Sequence, residues 1–239
     1  MRLAYLIAIA LPLGVAACGG SDPADDDTTT STDSTDTSET STTDGCDDPC
    51  PFEDGIEWVC KQRFMYGVNY AWHHFGGDFG GISTWNQGGV AAESQAHSDK
   101  LADMAAHGVS TIRWWMFPEF RGESVLFDGD ESPTGLGATT VADIHEALAL
   151  AEQHDVYVML TLFSFDNFRA SRDEAGIWVP GMQPMVTDAA KRTALLENVV
   201  RPVAQAVAAS PNAERMIAWD VMNEPEWAIA GPGLYGGDE

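Results

Sequence analysis

Four short apolar runs, separated by stretches with helical spacing, set the pattern of this chain. Met216 to Met222 is stopped abruptly by Asn223-Glu224-Pro225. It is too short for a core helix and lacks apolar–polar alternation, which fits a strand covered on both faces of a parallel sheet. Phe64 to Tyr70, Val109 to Phe117 and Val156 to Phe163 read as three earlier strands. Between them lie helical patterns. Ser94 to His107 places Leu101, Met104 and Ala105 on one side and is stopped by Gly108. Thr140 to His154 lines up Val141, Ile144, Leu148 and Ala151, with His145 and His154 expected toward solvent. Asp188 to Ala208 follows, and Pro202 is expected to kink or split it. The order β-α-β-α-β-α-β, with crossovers long enough for parallel pairing, predicts a parallel α/β sheet. Functional groups in such folds collect just past the carboxyl ends of the strands. Asn223 and Glu224 are therefore the first candidates for chemistry.

Other polar groups stand out against the apolar pattern. Arg113 lies inside the second strand, where an unpaired charge is costly, so a partner or a polar cavity is expected. Trp114 and Trp115 must point to opposite faces. The loop Ala71 to Gly81 is rich in glycine and aromatics, yet it contains neither Gly-x-Gly-x-x-Gly nor a Gly-Lys-Ser/Thr ending. Its aromatic faces suit either stacking on sugar rings or a hydrophobic lid. His73 and His74 read as polar contacts, with ligation as the lesser alternative, and no metal or organic cofactor is implied. Long loops follow the second and third strands, from Phe117 to Thr139 and from Ser164 to Thr187; loops of this length are usually functional or disordered.

The first fifty residues change the picture of where the chain acts. Met1-Arg2 and the apolar run Leu3 to Ala17 read as an export signal, too short to span a bilayer. Val15-Ala16-Ala17-Cys18 looks like a lipobox, which makes residues 1–18 a lipoprotein signal and Cys18 the lipid-bearing residue. Residues 19–50, rich in Ser, Thr and Asp, hold too little apolar surface for a core and read as a disordered tether. The domain proper is 51–239, and the expected location is the bacterial envelope, at the outer membrane or cell surface. The 239 residues carry 37 acids against 12 bases, a net charge of −25. That balance argues against nucleic acid and acidic polymers and leaves neutral polysaccharide open. One disulfide is expected among Cys46, Cys50 and Cys60, with all three pairings open.

Trp219-Asp220-Val221-Met222-Asn223-Glu224-Pro225 resembles the signature of the clan A retaining glycosidases, glycoside hydrolase family 5 in particular. The resemblance covers about Phe64 to Trp227. It implies a (β/α)8 TIM barrel and hydrolysis of a β-linked polysaccharide, mannan or glucan. It also implies that Glu224 is the general acid/base and that Asn223 holds the sugar hydroxyl beside the scissile bond. Arg113 matches the family arginine that orients the catalytic carboxylates. Tyr70, Trp72 and Trp115 are the expected sugar platforms, and burial against Trp219 or Trp227 would help Glu224 keep its proton. A histidine that the family often carries near Ser164-Phe165-Asp166-Asn167 is missing. The clan's nucleophile ends a seventh strand, whereas Glu239 comes shortly after the fourth. A complete barrel takes about 250 residues. The expectation is an N-terminal half, about four β/α units of a longer enzyme, inactive alone and of open oligomeric state. The competing expectation is a carbohydrate-binding surface lipoprotein that keeps the scaffold without turnover.

Overall fold

The computed structural model describes residues 56–58 and 61–229. The export signal, Cys18, the tether and Cys46, Cys50 and Cys60 lie outside the described residues. No described helix is long and apolar enough to cross a membrane.

The chain enters through a short antiparallel hairpin, β1 (Ile56–Trp58) with β2 (Lys61–Arg63), which the hydrophobic pattern did not signal. The first sheet strand, β3 (Gly67–Val68), is shorter than the run Phe64 to Tyr70. Phe64 and Tyr66 are exposed at its start. Single backbone bonds extend the pairing on either side, from Ser110 N–H to the Tyr66 carbonyl and from Trp115 N–H to the Ala71 carbonyl. After α1 (Ser94–Ala106) comes β4 (Thr111–Phe117). The loop beyond it contains a hairpin of β5 (Val125–Phe127) and β6 (Pro133–Leu136). Helix α2 (Thr140–Gln153) leads to β7 (Tyr157–Ser164). A second hairpin, β8 (Arg172–Glu174) with β9 (Ile177–Val179), and α3 (Gln183–Thr187) occupy the next loop. Then α4 (Ala189–Leu195) and α5 (Arg201–Ala209) precede β10 (Met216–Asn223) and a short α6 (Glu226–Ile229). Both long loops are therefore ordered by hairpins.

The sheet order is β10-β7-β4-β3, parallel at every pairing. This is the expected parallel α/β arrangement with consecutive strands side by side. Ile112, Trp114 and Met116 are fully buried and join Leu101 of α1, Ile144 and Leu148 of α2 and Val203 of α5 in one core. Alternation sends Arg113 and Trp115 to the opposite face. The expectation of a fourth strand covered on both faces does not hold among the described residues. Trp219 is 39 % and Val221 65 % exposed, because β10 is an edge of the described sheet. Val141 is likewise exposed, outside the buried face of α2.

Local chemistry explains the helix ends. After α1, Gly108 N–H bonds the Ala105 carbonyl and Val109 N–H the Met104 carbonyl, with Gly108 at φ 84°. This is a Schellman closure with its apolar contact supplied by Val109 and Met104. Nothing lies within 4 Å of where a Gly108 Cβ would stand, so Gly108→Ala isolates the left-handed strain. It is expected to lower stability by about 1–2 kcal/mol, read as the shift in a denaturant midpoint. The same closure ends α2 with Asp155 at φ 52°, bonding through Asp155 and Val156 N–H. His154 at that end meets Ser98 Oγ at 2.8 Å, and His145 Nε2 lies 2.9 Å from the Ala206 carbonyl. Both histidines are half-buried contacts between helices, which corrects the solvent-facing expectation. Pro202 does not break its helix. A π turn over Leu196–Val200 comes just before it, and helical angles persist at Val200 and Arg201. The wider turn accommodates a residue that lacks an N–H and crowds the preceding turn.

Candidate active site

The carboxyl ends of β3, β4, β7 and β10 share one side of the sheet, and a polar cluster forms there from alternate positions. Arg113 leaves β4 on the face away from the core and reaches across to β10. Its Nε donates to Asp220 Oδ2 at 2.9 Å, and Nη2 donates to the same oxygen and, at 3.1 Å, to Asn223 Oδ1. Nη1 is 3.4 Å from Asn69 Oδ1. Thr161 of β7, directly opposite Asp220 in the ladder, adds a hydroxyl donor to Asp220 Oδ2 at 2.9 Å. The buried-strand arginine thus has the partner its position required.

Trp115 shares this face. Its Nε1 donates to Asn69 Oδ1 at 3.1 Å, the Arg113 guanidinium lies 5.0 Å from its ring centre, and Trp72 packs edge-on at 5.2 Å. Trp115 is largely covered, whereas Trp72 is 39 % exposed. Trp72 in turn meets Phe75, over which Arg121 stacks at 4.6 Å. The expected residues Arg113, Asn223, Trp115 and Trp72 are therefore brought together.

Tyr70 is not. It is buried on the core side, edge-on to Trp114 at 4.9 Å, with its hydroxyl 3.0 Å from His97 Nδ1. Burial, and then the charge of Asp78, push that hydroxyl's pKa well up. The sugar-platform expectation for Tyr70 is corrected: alternation carries Asn69, not Tyr70, to the cluster face. Asn69, Thr161 and Asp220 are the residues that sequence reasoning missed. An acid inside the apolar run Met216 to Met222 needs a cation, and Arg113 is the cation of β4. That pairing was the available signal.

Glu224 follows Asn223 at the end of β10 and adopts φ 49°, the left-handed region that a side chain enters at a cost. Its carbonyl accepts the Trp227 N–H at 3.1 Å, closing the turn into α6. Glu224 is exposed, Trp227 instead faces Phe165 at 6.2 Å, and Trp219 lies exposed earlier on β10 itself. The expected burial of Glu224 against either tryptophan is absent among the described residues.

The loops above the sheet are tied down. Asp78, 1 % exposed, takes the backbone N–H of His73 at 2.8 Å and of His74 at 2.7 Å, and Trp114 Nε1 at 2.8 Å. Gly80 at φ 133° would place a Cβ 2.4 Å from Ser124 Cα. The glycines here allow two loops to pack backbone to backbone, which is their physical use. Glu119, also 1 % exposed, pairs with Arg121 from its own loop and with Arg172 from the loop after β7.

No protein-family model matches the chain. Over 167 residues it is 29 % identical to a mannan endo-1,4-β-mannosidase of Mytilus edulis, covering 70 % of this chain and 41 % of that protein. A mannan endo-1,4-β-mannosidase of Cryptopygus antarcticus is 29 % identical over 171 residues, covering 71 % and 40 %. The chain resembles β-mannanases. Among solved structures, the Mytilus edulis β-mannanase matches with TM-score 0.57 at 25 % identity, over 72 % of this chain and 44 % of that one. The Cryptopygus antarcticus β-1,4-mannanase matches with TM-score 0.56 at 28 % identity, over 72 % and 42 %. The chain spans about two fifths of the length of the curated mannanases it matches. The likeness to glycoside hydrolases of family 5, cellulase or mannanase type, read from residues 219–225, agrees with these relatives, which are mannanases.

Proposed function

We propose that the chain supplies the acid/base half of a retaining β-mannan hydrolase, built as the first four β/α units of a (β/α)8 barrel. The observation that carries this reading is the end of β10: Glu224 in a strained turn, directly after an Asn223 that Arg113 holds in place. The names of the similar proteins favour mannan over glucan as the polysaccharide.

In this mechanism Glu224 protonates the departing glycosidic oxygen and later takes a proton from the attacking water. A second carboxylate about 5–5.5 Å away attacks the anomeric carbon. Asp220 is not assigned that second role: one of its oxygens is engaged within the sheet by Arg113 and Thr161. Its part is to hold the Arg113 fork, which positions Asn223 for the sugar hydroxyl beside the broken bond. Trp72 offers an exposed aromatic face for a neighbouring sugar, with Trp115 beneath it. The nucleophile is supplied from a seventh strand that follows the described residues in the complete enzyme. The same proposal takes the enzyme as exported and held by a lipid on Cys18, with 19–50 as spacer.

The test is incubation of the full-length protein with β-1,4-mannan, cellulose and xylan, with NMR of the new reducing ends. Mannan is expected to be cut well ahead of the other two, with retained anomeric configuration. Binding to mannan without turnover would leave only a carbohydrate-binding scaffold, and inverted products would remove the double displacement.

A further inference from the structure

The glycine-rich loop after β3 holds a second group of side chains that the glycosidase chemistry does not use. His73 Nε2 and His74 Nε2 lie 3.4 Å and 3.0 Å from the same oxygen of Glu93, Oε2, and the three side chains each offer a ligand atom within 4.8 Å of the others. We propose that His73, His74 and Glu93 form a binding site for a divalent transition metal of the zinc class, which staples this loop to the start of α1.

A tetrahedral ion with bonds of about 2.0–2.1 Å sets its ligand atoms about 3.3 Å apart. Two edges of that figure are already present, and the two rings that form the third stand 4.3 Å apart with ligand atoms within 4.8 Å. The ligands are held from behind by other groups. Asp78 fixes the backbone N–H of both histidines, and the other Glu93 oxygen accepts Gly88 N–H at 2.7 Å. Glu93 Oε2 is thereby left facing the imidazoles. The three side chains are 21–27 % exposed, which leaves an approach for the ion and room for a water as fourth ligand. Two imidazole nitrogens select zinc, cobalt, nickel or copper over calcium or magnesium, which prefer all-oxygen shells. A chain of net charge −25 also draws cations toward its surface. The two histidines immediately follow Trp72, so the ion would fix the loop that presents this aromatic face.

The proposal is tested on the full-length protein, stripped with chelator and dialysed, by competition for zinc against a chromophoric indicator. The wild type is expected to take up zinc at this site, with an added rise in thermal unfolding midpoint. A His73→Ala/His74→Ala double variant should bind one equivalent fewer. Glu93→Gln, which keeps an oxygen for Gly88, should weaken binding at least tenfold, as loss of a charged ligand does. Cobalt added in place of zinc should give the visible absorption of a four-coordinate nitrogen–oxygen site in the wild type and not in Glu93→Gln. The proposal is overturned if the wild type takes up no zinc, or if the double variant and Glu93→Gln bind as much as the wild type. In the latter case the ion would belong to other groups, the cysteines among them. Mannan turnover is not the readout, so failure here leaves the glycosidase reading intact, and the reverse.

Discussion

Glu224→Gln in the full-length protein is expected to lower kcat on mannan by about 10²–10⁴-fold, the range over which a positioned general acid contributes. Glutamine keeps the size and the left-handed backbone position but cannot release a proton to the departing oxygen. The loss in kcat/KM, which reports the first displacement, should shrink on an aryl β-mannoside, whose leaving group departs without protonation, so the ratio of the two effects identifies the acid role. KM should move little, because the exposed side chain contributes through the transition state rather than the ground state. An unchanged kcat on mannan would refute the assignment of Glu224. A decrease of equal size in kcat/KM on both substrates would indicate that the variant disturbs the turn into α6 instead.

Asp78→Ala is expected to cost about 3 kcal/mol or more of stability, because it leaves three neutral donors unmet at about 1–3 kcal/mol each. Three donors converge on this carboxylate: the backbone N–H groups of His73 and His74, and Trp114 Nε1 inside the core. Asparagine should fall between the two, since it offers one acceptor oxygen and turns an N–H₂ toward a donor. Urea unfolding measures the cost, and hydrogen exchange at the His73 and His74 amides locates it. A loss below about 1 kcal/mol, with protected amides, would mean that the loop is held by its glycine packing alone.

Much of this was legible because two periodicities differ. The helical spacing of Leu101 and Met104, and of Ile144, Leu148 and Ala151, located α1 and α2 to within a residue or two. Largely apolar runs located β4, β7 and β10. The site was read less completely. Asn223 and Glu224 came from a local signature and Arg113 from a charge in an apolar strand. Asn69 and Thr161 were not foreseen, because a lone uncharged Asn or Thr is common at the surface and does not by itself name a partner. Tyr70 was misplaced because β3 is so short that its phase relative to the core could not be counted from sequence. The hairpins within the long loops escaped for another reason. Their strands are three or four residues long, too few for alternation to register.

Glu119 gives these loops a shared fate. Its two oxygens are divided between Arg121, in the loop after β4, and Arg172, in the loop after β7. Exchanging the loop after β7 would leave one oxygen of buried Glu119 without its cation, and exchanging the loop after β4 would leave Arg172 with Glu174 alone. Loop grafting to alter what the mouth of the sheet accepts must therefore transplant both segments together, as one inherited module.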